Sequence, residues 1–137
     1  MYKINSSSVQ FVKTETRSSP DESGAPCWAP NTDLYACDAG LVIKVELAGI
    51  RREDLELVVE KNRVKIAGQR PDGNRSAKCK FLVMEISYGT FETVIELPQG
   101  YDLSRAIAAY NNGFLRIDVP KEAAIPTSRA ISSPATK

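Results

Sequence analysis

Residues 106–121 read AIAAYNNGFLRIDVPK, two alternating runs on either side of Asn112-Gly113. Both central positions of a type I′ turn need positive φ, which Asn and Gly tolerate best, so this dipeptide predicts a two-residue hairpin. The loop length fixes the register, with Tyr110 opposite Leu115, Ala108 opposite Ile117 and Ala106 opposite Val119. Those six residues form one largely apolar face. Asn111, Ala109, Phe114, Arg116 and Asp118 fall on the other. Pro120 has no N–H to extend the ladder, so the second strand ends there. A lone hairpin is marginal in water, and further strands must cover its apolar face.

The sequence upstream supplies them. Residues 32–36 form a short strand candidate. Residues 40–47 place Leu41, Ile43, Val45 and Leu47 on one face, with Lys44 and Glu46 on the other. Ala48-Gly49-Ile50 turns the chain and residues 51–54 make a polar connection. Residues 55–60 put Leu57 and Val59 inward, Lys61-Asn62 is a tight link, and residues 64–68 put Val64 and Ile66 inward. Residues 89–97 align Phe91, Thr93, Ile95 and Leu97, and Pro98-Gln99-Gly100 stops them. Asp102-Leu103-Ser104 supplies one turn before the hairpin. No segment holds a 3.6-residue apolar period, and β-branched residues concentrate in the alternating runs. The fold class is all-β, and seven or more short strands with polar turns fit an immunoglobulin-like β-sandwich.

Composition narrows the function. The 137 residues make one domain's worth of core. Eighteen Lys and Arg against 17 Asp and Glu leave a net charge of +1, which gives no electrostatic case for nucleic acid or an anionic membrane as partner. The longest apolar candidate, residues 40–50, is broken by Lys44 and Glu46 and is too short for a bilayer span. The first residues, MYKINSSSVQFVK, lack a continuous apolar stretch of the secretory kind, so a cytoplasmic protein is expected. Three cysteines, Cys27, Cys37 and Cys79, cannot all pair within one chain and lack C-x-x-C spacing, so reduced thiols are the plain reading and an intersubunit disulfide the alternative. With no histidine, the commonest general base and metal ligand is missing. The nucleophile-elbow, P-loop and dinucleotide-binding glycine patterns are absent as well. Glu46, Glu56 and Glu60 fall on outward strand faces. Cys79 lies between Lys78 and Lys80 with no base beside it in sequence. The residues point to no catalytic centre, no metal and no cofactor; an enzyme is not expected.

Several motifs carry a family resemblance. A-x-Y-x-N-G-x-L-x-I-x-x-P-K, from Ala108 to Lys121, resembles the closing signature of the α-crystallin domain of small heat-shock proteins. Gly89, Phe91, Leu97 and Pro98 are similar to the segment that precedes it there. Trp28, Pro30, Asp33-Leu34-Tyr35, Leu47-Ala48-Gly49 and Asp54-Leu55 fit the opening part. The resemblance implies a domain over residues 28–121, a flexible arm over 1–27 and a flexible extension over 122–137. Residues 6–19 of the arm also read as a short strand around Val9, Phe11 and Val12, while residues 18–26 are too polar to order themselves.

The resemblance gives a use to residues 80–86, KFLVMEI, an apolar run inside a long connection that a single-chain sandwich does not need. In bacterial and plant members such a strand crosses to a partner subunit and pairs with its first strand. It implies a homodimer interface of Cys79, Phe81, Leu82, Val83, Met84 and Ile86 against the partner's Thr32 and Leu34. It also implies a groove of Leu57, Val59, Leu103 and Ile107 that takes a C-terminal anchor, Ile125, from a neighbouring dimer. The family's Ile-x-Ile/Val pair is Ile125-Pro126-Thr127 here, so weaker linking into higher homo-oligomers is expected, because the hydroxyl enters an apolar slot. Two family arginines are replaced by Ile86 and Thr93, which shifts the dimer edge from ion pairs toward apolar burial. The implied activity is that of an ATP-independent holdase chaperone for unfolding proteins. Two alternatives remain at this point: a CS-domain-like co-chaperone or adaptor, usually monomeric and without a crossing strand, and a structural assembly subunit.

Overall fold

The computed structural model describes residues 11–12, 27–73 and 75–123 of the chain. Its strands are β1 (Phe11–Val12), β2 (Thr32–Cys37), β3 (Gly40–Glu46), β4 (Leu55–Glu60), β5 (Arg63–Arg70), β6 (Gly89–Glu96), β7 (Ile107–Asn111) and β8 (Phe114–Pro120). They form two four-stranded sheets, ordered β1-β4-β5-β6 and β2-β3-β8-β7. Short 3₁₀ turns, Arg52–Asp54 and Leu103–Arg105, are the helical elements among the described residues. This is the all-β sandwich that the alternation predicts.

The β7–β8 hairpin takes the register set by its turn. Tyr110 pairs with Leu115 and Ala108 with Ile117, and Asn112 and Gly113 have φ of 52° and 82°. β8 then pairs with β3 along its whole length, from Gly40 opposite Pro120 to Glu46 opposite Phe114. The turn is also tied to the end of β3, since Leu47 N–H donates to the Gly113 carbonyl at 2.8 Å. Tyr110 keeps its hydroxyl satisfied by donating to the Leu47 carbonyl at 2.5 Å.

The inward residues of both sheets meet in one core. Ile43, Val45 and Leu47 from the β3 side join Leu115 and Ile117 of β8, Leu57 of β4, Val64 and Ile66 of β5 and Phe91 of β6, all fully buried. Burying a side chain of this size contributes about 1.5–3 kcal/mol. Asp102 shapes one corner of this core. It accepts a hydrogen bond from Ser104 N–H at 3.0 Å and starts the 3₁₀ turn that sends Leu103 inward. The Ser104 hydroxyl and then the Arg105 guanidinium hold the Asp102 carboxyl below its ordinary range.

Two details depart from the sequence expectation, and a third concerns the apolar run 80–86. β5 runs on to Arg70 rather than stopping near Gly68, because Gln69 and Arg70 pair with Thr90 and Gly89. Val42 is buried on the face that carries Lys44, flanked by Tyr35 and Asp118 on the neighbouring strands. Residues 80–86 form no ladder with either sheet of their own chain.

Gly68 marks the tightest packing in this region. A Cβ there would collide with the Asp54 carbonyl oxygen and come within 2.8 Å of the Phe91 ring. Backbone cannot yield as a flexible side chain does, so Gly68→Ala is expected to cost about 1–3 kcal/mol. Urea denaturation followed by Trp28 fluorescence measures this as a lower midpoint at unchanged slope.

Candidate functional site

Two features of the sandwich face outward, each with an open side that carries no ladder partner among the described residues. The first is β2. Its ladder to β3 runs from Thr32 opposite Val45 to Cys37 opposite Gly40, and it is the end strand of its sheet. Every residue after Thr32 is exposed. Leu34 pairs with the fully buried Ile43, yet its own side chain is 41% exposed, so the apolar inner face runs past the last covered position. The second feature is the segment after β5. Leu82 is 91% exposed, Val83 75%, Met84 60% and Ile86 58%. Phe81 is held loosely by the Arg75 guanidinium, 4.1 Å from its ring centroid, and Arg75 in turn pairs with Asp72.

A clamp fixes where this segment leaves and rejoins the fold. Arg70 ends β5 opposite Gly89, the first residue of β6. Its Nε donates to the Ser87 carbonyl at 2.8 Å and its Nη1 to the Ala48 carbonyl at 3.2 Å. The guanidinium lies 4.3 Å from the Trp28 ring centroid and 5.9 Å from that of Tyr88. Trp28 donates from Nε1 to the Gly89 carbonyl at 3.2 Å and packs on the buried Phe91 ring at 5.2 Å. A planar fork that stacks and donates at once is a task for arginine, not lysine. Residues 71–88 therefore leave and return at one braced point. Trp28, Pro30, Arg70, Ile86 and Tyr88 line a cleft of about 580 Å³ beside it.

The sequence singled out Trp28 through its motif, but not Arg70. The available signal was an Arg just before Pro71 and the turn that follows, which suits a residue that anchors a loop base.

The remaining predicted positions separate into buried and open ones. Leu57 and Leu103 are core residues and Val59 packs against the same cluster, whereas Ile107 on β7 is 43% exposed. Ile125 lies outside the described residues. Thr93 is half-buried on β6. Cys27, Cys37 and Cys79 are free and exposed. No group of His, Cys, Asp or Glu suited to hold a metal ion occurs among the described residues, and no helix among them is long and apolar enough to cross a membrane.

Residues 35–132 match a family model described as Hsp20/alpha crystallin family. The chain belongs to that family. It is 30% identical to small heat shock protein C2 of Rickettsia felis over 93 residues, which take in 68% of this chain and 60% of that protein. It is 27% identical to spore protein SP21 of Stigmatella aurantiaca over 109 residues, 80% of this chain and 64% of that one. The chain thus spans less than two thirds of the length of these curated relatives. Among solved structures, a small heat-shock protein from Xylella fastidiosa superposes with a TM-score of 0.65 at 28% identity, covering 82% of this chain and 96% of that one. The sandwich is the α-crystallin fold, and Hsp20/alpha crystallin family proteins of this kind are not enzymes.

The clamp is open to direct measurement, since Trp28 is the chain's one tryptophan. Arg70→Met is expected to shift Trp28 emission to the red and cost about 1–3 kcal/mol, from lost charge-assisted hydrogen bonds and a lost cation–π contact. Arg70→Lys should recover less than half of that, because a point charge cannot stack and fork together.

Proposed function

We propose that this protein is an ATP-independent holdase chaperone that works as a strand-exchanged homodimer in the cytoplasm. One observation carries the reading: an open β2 edge and an exposed apolar segment occur in one chain, and neither is covered by the other. The clamp at Arg70 supports it by presenting residues 79–86 away from their own sheets. In the proposed dimer Cys79, Phe81, Leu82, Val83, Met84 and Ile86 of each chain add a strand beside the partner's Thr32 and Leu34. The domain that does this is residues 28–121.

Magnitudes favour a two-fold exchange over a single crossing. Leu82, Met84 and Ile86 share one face of an extended segment. Covering them contributes about 1.5–3 kcal/mol each, so one crossing strand yields roughly 5–9 kcal/mol. Association costs about 4–15 kcal/mol in lost translational and rotational freedom, which one strand does not reliably exceed. A symmetric dimer sets two strands against a single such cost. Ion pairs at the edge are not required for this balance.

The dimer proposal predicts its own disruption. Leu82→Asp with Met84→Asp should give folded monomers in sedimentation velocity, with the circular dichroism of the sandwich retained. Dimers that persist in the double variant would overturn it.

Client capture follows from the same surfaces. A holdase needs no bond chemistry; it competes with aggregation by binding exposed apolar segments of unfolding chains. The client surfaces in this reading are the crossing strand when it detaches, the segment around Val9, Phe11 and Val12, and the Leu57, Val59, Leu103 and Ile107 region. The last also takes Ile125 of another dimer when higher homo-oligomers form. Light scattering of a heat-aggregating client such as citrate synthase, with no nucleotide added, tests the activity. Scattering should fall as subunits approach one per client, and unchanged scattering at that ratio refutes the chaperone reading.

A further inference from the structure

Two cysteines stand at matching ends of the two segments that the proposed dimer joins. Cys37 is the last residue of β2, where Asp38 and Ala39 turn the chain back to Gly40. Cys79 opens the apolar segment, and its N–H closes the preceding turn on the Ser76 carbonyl at 3.0 Å. Both thiols are free and exposed. We propose that the exchange is antiparallel, with Cys79 opposite the partner's Cys37, and that oxidation joins this pair in an intersubunit disulfide that locks the dimer. The proposal rests on the dimer reading above and adds its register and its redox control.

The register follows from which side of β2 is open. Glu46 N–H donates to the carbonyl of Asn31, directly opposite, at 3.0 Å. The odd-numbered residues of β2 therefore turn their backbone groups toward β3, and Thr32, Leu34 and Ala36 turn theirs outward. Setting Leu82 opposite Leu34 lays the apolar face of the crossing strand along the side of β2 that faces the core. Run antiparallel, this places Phe81 opposite Tyr35, Met84 opposite Thr32 and Cys79 opposite Cys37. Just past the ladder, Lys78 meets Asp38, of opposite charge. A slip of one residue turns Leu82 and Met84 to the outer face. A slip of two sets Glu85 against Asp33, like against like, or else Lys80 against Leu34. A parallel ladder with Leu82 on Leu34 sets Phe81 against Asp33 and pairs less stably per residue.

The same parity makes the cysteine pair bondable. Cys37 directs its backbone groups at Gly40, so it meets the incoming strand at a non-hydrogen-bonded pair, the closer kind, with Cα atoms about 4.5 Å apart. A disulfide needs about 4.4–6.8 Å. Cys37 also opens on a cleft of about 250 Å³ that Val42, Ile107 and Arg116 help to line, which gives a small oxidant access. A low-molecular-weight disulfide such as oxidised glutathione balances the reaction. The Cys79 thiolate attacks one of its sulfurs and expels the first small thiolate. The partner's Cys37 thiolate then attacks the Cys79 sulfur and expels the second. Two protein thiols are oxidised, one small disulfide is reduced to two thiols, and the two thiol protons pass to the departing sulfurs. Two-fold symmetry forms the bond twice.

The test uses the full-length chain carrying Cys27→Ser, treated with glutathione disulfide at a concentration where sedimentation shows dimers in reducing buffer. Non-reducing electrophoresis should show a covalent dimer that a reductant dissolves, with Cys37 joined to Cys79 in mass spectrometry. Neither Cys37→Ser nor Cys79→Ser should crosslink alone. Mixed and re-equilibrated, the two single variants should crosslink in about half of their dimers, since only a mixed pair aligns one Cys79 with one Cys37. The oxidised dimer should also survive a dilution that separates the reduced one. Dimers in reducing buffer that give no crosslink, a Cys79–Cys79 bond, or a bond within one chain overturn the lock and leave the dimer reading standing. Monomers in reducing buffer at every concentration overturn the dimer reading, and the lock with it.

Discussion

Backbone N–H and C=O groups at the rim of a sheet must find partners or water, and this molecule is shaped by how each rim is treated. β6 is bridged by Trp28, which donates from its N–H to Thr90 and accepts from Glu92. β4 is overlaid by Phe11–Val12. β2 and β7 close the second sheet with nothing beside them among the described residues. Of these two, β2 is the longer, and its residues beyond Thr32 are exposed without exception. Among the described residues the core is closed, but the rims are not all paired. A fold built this way closes its core while keeping edges open to backbone pairing, as the proposed strand exchange requires.

Most of the sandwich was legible because its information is local. The Asn112-Gly113 turn imposes a register, and the register decides which of ten strand residues are buried. Alternation in residues 40–47 identified Leu41, Ile43, Val45 and Leu47, all of them core. The run 80–86 declared itself by being apolar where a surface connection should be polar. Those signals need only neighbours in sequence.

What was not legible depends on neighbours far away. Gly68 has no turn to make; it is small because the Asp54 carbonyl and the Phe91 ring press on it. Val42 lies on the polar side of β3 by parity and is buried because Tyr35 and Asp118 close over its flanks. Arg70 reads as a charged strand end until Trp28, 42 positions earlier, and Ser87, 17 positions later, are placed beside it. The short strand around Phe11 was visible as a pattern, but its parallel seat on β4 was not, since two residues carry no register information. Sequence reasoning fails here where contacts are long-range and the residues polar or small.

The same division sets the order in which parts of the molecule give way. Local opening costs least where few apolar side chains are buried and pairing is short. By that measure β1, with two ladder positions, opens before any core strand. In the proposed dimer, residues 81–86 would come next, because their burial would depend on a second chain and so on concentration. The β3–β8 pair, seven positions long with fully buried residues on both strands, opens last. On this ordering, warming would open short-paired edges before the β3–β8 scaffold that presents them. In the proposed reading such grading needs no ligand-driven switch, because warming alone would shift the population toward open edges.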